Sequence, residues 1–220
     1  MVELIPVIEL TPGTFATEDR PYPPKSLRDA PEAWQAYWRA SLEDAGVVGL
    51  SAMEPGSWLV ELDQLTNSDL KLLRQVLAVL MSDVELDDLD TAGPLCGGYW
   101  LTTDKVHLEP GCCGDLTDLA GWFDALDYVG AEWRQLWIGH PWTHVRSQGD
   151  GLEFAVPSET KTPVSFEPPL IVQRTALRRA AVVAEERRRA FGEKVRQALE
   201  TLVPEKVIEP LATILVVGHG

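Results

Sequence analysis

Between Cys96 and Val145 the chain gathers all three of its cysteines, three of its four histidines and five of its eight tryptophans. Large aromatic side chains need a core or a partner to cover them, so this stretch restricts the fold more than any other. Residues 98–102 and 106–109 flank Thr103-Asp104-Lys105 and predict a hairpin. Pro110-Gly111-Cys112-Cys113-Gly114 predicts a tight turn. Asp115 is placed to cap a helix over 115–126, with Asp118 in its first turn and Leu116, Leu119, Trp122, Phe123 and Leu126 on one face. Residues 133–138 alternate as a strand does. Residues 141–147 and 152–156 flank Gln148-Gly149-Asp150-Gly151, a second hairpin signal.

The flanking segments supply the rest of the layers. Residues 2–10 predict an edge strand, because Pro6 cannot donate to a ladder. Residues 11–25 hold four prolines and a glycine and predict a loop. Pro31 opens a helix over 32–44, whose Trp34 and Trp38 share a face as core anchors. Residues 57–62 predict a strand. The Thr66-Asn67-Ser68-Asp69 run predicts a cap, followed by a helix to about residue 81. The acidic run 84–90 and the proline-containing run 157–169 predict loops. Leu177, Ala181, Ala184, Arg188, Phe191, Val195, Ala198 and Leu202 then alternate spacings of four and three, a heptad stripe ended by Pro204. Residues 205–217 predict a last helix or strand. The expected architecture is α+β: a mostly antiparallel sheet packed against helices, with a long C-terminal helix. It divides into a core domain over 1–172 and a helical segment over 173–220 that packs on the core or on a second subunit through the 177–202 stripe.

Charge narrows the function. The chain carries 34 acidic and 19 basic residues, a net charge of −15. Residues 174–220 have nine Lys or Arg against six Asp or Glu, so the excess lies before them. It is densest over 83–127, where eleven acidic residues face one base, Lys105. Such a surface repels nucleic acid and anionic membranes and attracts a basic protein partner. Three cysteines make no paired framework, which predicts a cytoplasmic setting, as does the lack of a signal-like N-terminus. No run is long and apolar enough to predict a membrane span.

Chemistry could centre on the same stretch. Cys112 and Cys113 precede a predicted helix N-terminus, and His107 or His140 could act as base, which together outline a cysteine- or metal-dependent enzyme. Glu109, Asp115 and Asp118 work against this by favouring the neutral thiol. No metal or cofactor is expected. There is no Cys-x-x-Cys pair, and His140 and His144 lie too far apart on a strand to share an ion. Common catalytic motifs are absent. The Arg187-Arg188-Arg189 run predicts pairing with carboxylates of the protein itself or of a second subunit.

The run Glu109-Pro110-Gly111-Cys112-Cys113-Gly114-Asp115-Leu116, with Trp122 and Leu136-Trp137-Ile138-Gly139-His140-Pro141-Trp142, resembles a motif set of bacterial proteins of unassigned function. Some of these resemble immunity proteins of polymorphic toxin systems. The resemblance covers about residues 96–145 and implies a bacterial cytosolic protein. The expected function is therefore non-catalytic: an immunity-like or regulatory factor that binds a basic partner, such as a toxin. Its expected contact residues are Asp87, Asp88, Asp90, Glu109, Asp115, Asp118 and Trp142.

Overall fold

The computed structural model describes residues 1–160 and 162–218. Its strands are β1 (Val2–Glu9), β2 (Leu59–Glu61), β3 (Gly97–Thr103), β4 (His107–Leu108), β5 (Arg134–Leu136), β6 (Thr143–Gln148), β7 (Gly151–Val156) and β8 (Val164–Gln173). Its α-helices are α1 (Pro12–Phe15), α2 (Pro31–Asp44), α3 (Leu62–Thr66), α4 (Leu70–Leu80), α5 (Leu119–Asp127), α6 (Arg174–Leu199) and α7 (Glu205–Val217). The fold is α+β, with antiparallel sheets, helices packed on them and a long helix near the C-terminus. Among the described residues, no helix is long and apolar enough to cross a membrane.

The chain forms two compact units, and the division does not fall at residue 172. One unit comprises Met1–Val7 with Pro94–Arg189; the other comprises Ile8–Gly93 with the chain from Ala190 onward. The boundary cuts through both β1 and α6, so the C-terminal helix is no separate appendage.

The first unit contains the sheet β5-β6-β7-β8 and the neighbouring strands β1, β3 and β4. β3 and β4 pair antiparallel as the hairpin signal requires, with Leu101 opposite Leu108. β6 and β7 are joined by Gly149-Asp150, with Gln148 opposite Gly151. The core is built from Leu4, Tyr99, Leu101, Trp122, Phe154 and Leu177 with their apolar neighbours. The α6 residues Leu177, Ala181 and Ala184 are fully buried here, so half of the heptad stripe is covered within this unit.

β8 occupies a run expected to be a loop. Its prolines are accommodated because β8 is an edge strand with an irregular register: Phe154 faces Leu170, but Ala155 faces Ser165. The residues between leave the ladder, and Pro168 and Pro169 are among them.

Inside this sheet one ion pair is deeply placed. Arg146 lies opposite Glu153, and its Nε and Nη2 donate to Glu153 Oε2 at 3.0 and 2.8 Å. Ser165 Oγ donates to the other carboxylate oxygen at 2.6 Å. Glu153 is 2 % exposed, yet both its oxygens are satisfied. The Arg146 guanidinium also sits over the Trp133 ring, 4.5 Å from its centroid.

The second unit is mostly helical. Asp69 caps α4, accepting from the Leu72 amide at 3.1 Å, and Leu73, Val76 and Leu77 bury the face that the sequence spacing marks. Trp38 of α2 is fully buried and donates from Nε1 to the Leu10 carbonyl at 2.7 Å. Trp34 stays half-buried in an aromatic cluster with Tyr22, Tyr37 and Trp58. The remaining stripe residues of α6, Phe191, Val195 and Ala198, are fully buried in this unit. Within the single chain six of the eight stripe residues are thus buried, and Arg188 and Leu202 are half-buried.

Candidate functional site

Three short segments of the first unit meet at one corner. Gly114 N donates to the Gly111 carbonyl at 3.2 Å, closing a turn with Cys112 and Cys113 at its tip. Cys113 has a φ of 60°, the left-handed region that side chains other than glycine's usually avoid. His140 N donates to the Cys112 carbonyl at 2.8 Å, which ties the turn to the segment after β5. A second tie runs from Gly97 N to the Gly114 carbonyl at 2.8 Å.

The approach is close enough to exclude side chains. A Cβ on Gly111 would lie 2.5 Å from His140 N and 2.6 Å from its carbonyl oxygen. Gly139 has a φ of 100°, and a Cβ there would lie 2.9 Å from the Gly111 backbone. Two glycines therefore let two backbones touch, and this sets the distance between the thiols and the imidazole.

The side chains at the corner form a small constellation. Cys112 Sγ lies 3.9 Å from His140 Nδ1, and Cys113 Sγ lies 3.9 Å from Cys112 Sγ. Both cysteines are exposed, and neither is in a disulfide. The His140 ring packs edge-on against Trp142, with centroids 5.0 Å apart and planes at 86°. Trp142 is half-buried and is pinned by a hydrogen bond from Ser158 N to its carbonyl at 3.0 Å. The cis peptide between His140 and Pro141 belongs to the same corner.

Not every candidate residue joins this group. His107 stacks on Trp100 at 4.7 Å, and its Nε2 lies 3.6 Å from Glu109 Oε1. His144 is buried in β6, and burial holds its imidazole below the usual histidine range. Cys96 forms an isolated antiparallel backbone bridge with Asp115, the cap of the turn before α5. Among the described residues, Cys112, Cys113 and His140 do not converge into three mutually adjacent metal ligands.

The acidic candidates divide between the units. Asp115 and Asp118 form a capping box before α5: Asp115 Oδ1 accepts from Thr117 N at 2.6 Å, and Asp118 Oδ2 accepts from Asp115 N at 3.0 Å. Burial pushes the Asp118 carboxyl up to about 6, helped by the Asp115 charge and opposed by the Asp115 amide. Glu109 is exposed at the end of β4. In the second unit Asp87 is almost fully exposed, 3.9 Å from Lys206 Nζ. Asp88 caps a short 3-10 turn at Leu89–Thr91 through the Asp90 amide.

One prominent residue escapes sequence reasoning. Trp137 is expected to share a core face with Trp133, but the buried face of this segment is the opposite one, that of Leu136 and Ile138. Leu136 and Ile138 enter the core, and Trp137 is left 76 % exposed. The signal that could have found it is the alternation itself, which puts aliphatic Leu136 and Ile138 on the face opposite Trp137. No family model, curated protein or solved structure matches the chain.

Proposed function

We propose that the protein is a non-catalytic binding protein, immunity-like or regulatory, that receives a basic protein partner on an acidic surface anchored by tryptophan. The observation that carries this reading is Trp137, 76 % exposed on a short segment whose neighbours Leu136 and Ile138 are buried in the core. An isolated, fixed indole is the side chain most often found at the energetic centre of an interface. Half-buried Trp142 continues the same segment.

The charge of the chain favours a basic occupant. Asp124, Asp127, Glu132 and Glu109 are all exposed in this unit. The whole chain has 34 acidic residues against 19 basic. Exposed carboxylates steer a cationic partner, while an apolar anchor supplies the affinity. A nuclease toxin, basic because it must hold phosphates, has the matching chemistry.

The test is capture of partners from the native host by the full chain, at low and high salt, beside a Trp137→Ala variant. The expected partner is a basic protein, released as salt rises, and bound at least about tenfold more weakly by the variant. Equal capture by the variant, or partners with neutral surfaces only, would overturn the reading.

A further inference from the structure

We propose that Cys112 and Cys113 are a working dithiol that reduces low-molecular-weight disulfides of the glutathione class and closes into a disulfide with each other. The inference is independent of the partner-binding reading.

Three observations converge on it. Two exposed thiols stand 3.9 Å apart at the tip of one turn. Cys112 has the His140 imidazole nitrogen 3.9 Å away, and Trp142 holds that ring from the side. Cys113 occupies a left-handed position, φ 60°, where glycine would be unstrained. A strained cysteine at an exposed turn is retained at an energetic cost, which points to a use for its sulfur.

The asymmetry assigns the roles. With its own proton on Nε2, His140 accepts the Cys112 thiol proton at Nδ1. The Cys112 thiolate attacks one sulfur of the small disulfide. That S–S bond breaks, and the leaving thiolate takes the proton from His140 and departs as a thiol. Cys112 now carries a mixed disulfide. Cys113 attacks the Cys112 sulfur, the mixed disulfide bond breaks, and the Cys113 proton passes through solvent to the expelled thiolate, which departs as the second thiol. The two protein thiols are oxidised to one disulfide, and the small disulfide is reduced to two thiols. Closing the bond brings the sulfurs from 3.9 Å to about 2.05 Å, and because adjacent Cα atoms lie only about 3.8 Å apart, the peptide between Cys112 and Cys113 must twist as the side chains turn.

The sequence provides a clean readout. Tryptic cleavage after Lys105 and Arg134 yields a peptide over 106–134 that holds Cys112 and Cys113 and no other cysteine. The full chain is exposed to excess glutathione disulfide, quenched with acid and digested. The wild-type peptide is expected to lose the mass of two hydrogens and to carry no glutathione. The Cys113→Ser variant is expected to stop with one glutathione on Cys112. In that background, His140→Gln slows adduct formation at pH 7 by at least about tenfold. Glutathione on both cysteines of the wild type, an unmodified peptide, or an equal rate with His140→Gln would each overturn the proposal.

Discussion

Gly111 shows how much one residue decides here. A methyl group in place of its hydrogen would sit 2.5–2.6 Å from the His140 backbone, where no flexible side chain can yield. Gly111→Ala must therefore push the turn away from the 139–142 segment. The hydrogen bond from His140 N to Cys112 then lengthens or breaks, and the thiol separates from the imidazole. The expected cost is about 2 kcal/mol, typical of overpacking against a fixed neighbour. A lower urea midpoint, together with equal thiol-exchange rates for Gly111→Ala with and without His140→Gln, would show that stability and site geometry fail together. An unchanged midpoint would mean that the two backbones need no such closeness. Trp137 makes the complementary point, because its neighbours decide its exposure, and its own hydrophobicity predicts the opposite.

At the scale of elements, the capping box before α5 couples helix formation to pH. The Asp118 carboxyl is raised to about 6 in the folded chain from an ordinary 3.8, chiefly by burial. A raised carboxyl stabilises the fold fully below its unfolded value and loses that contribution as pH climbs through the folded one. Asp118→Asn keeps an acceptor for the Asp115 amide and removes the buried charge. Its urea midpoint should gain on the wild type between pH 4 and pH 7, by an amount on the order of 1 kcal/mol once partial exposure is discounted. A constant difference across that range would mean that Asp118 titrates like a surface carboxylate.

Elements with strong local signals were legible in the sequence. The caps at Asp69 and Asp115, both hairpins and the long amphipathic helix follow from short-range rules, and the structure places them within a few residues of expectation. β8 was not legible, because its prolines argue against pairing unless the register shift that excludes them is known. The corner itself was half legible. The turn and the residue types were evident, but the choice of His140 over His107 depends on long-range backbone contact, which no local pattern encodes.

For the whole molecule, the decisive fact is that both compact units are assembled from separated pieces of chain. A cut at residue 172 would remove Leu177, Ala181 and Ala184 from the core of the first unit and Phe191, Val195 and Leu211 from the second. The truncated protein is expected to lose cooperative unfolding by near-ultraviolet circular dichroism. A sharp, native-like transition in residues 1–172 would show that the helix is dispensable. Most of the heptad stripe that invites a second copy in the sequence is covered by the chain's own apolar residues.

The same discontinuity has a consequence during synthesis. β1 is made well before its fellow residues in the first unit, which arrive only after Gly93, and that unit is not complete until Arg189 has emerged. The second unit, begun at Ile8, waits for the last helix. Nascent chains usually fold domain by domain from the N-terminus. Here neither unit can close early, so both must stay open until most of residues 1–189 have been made.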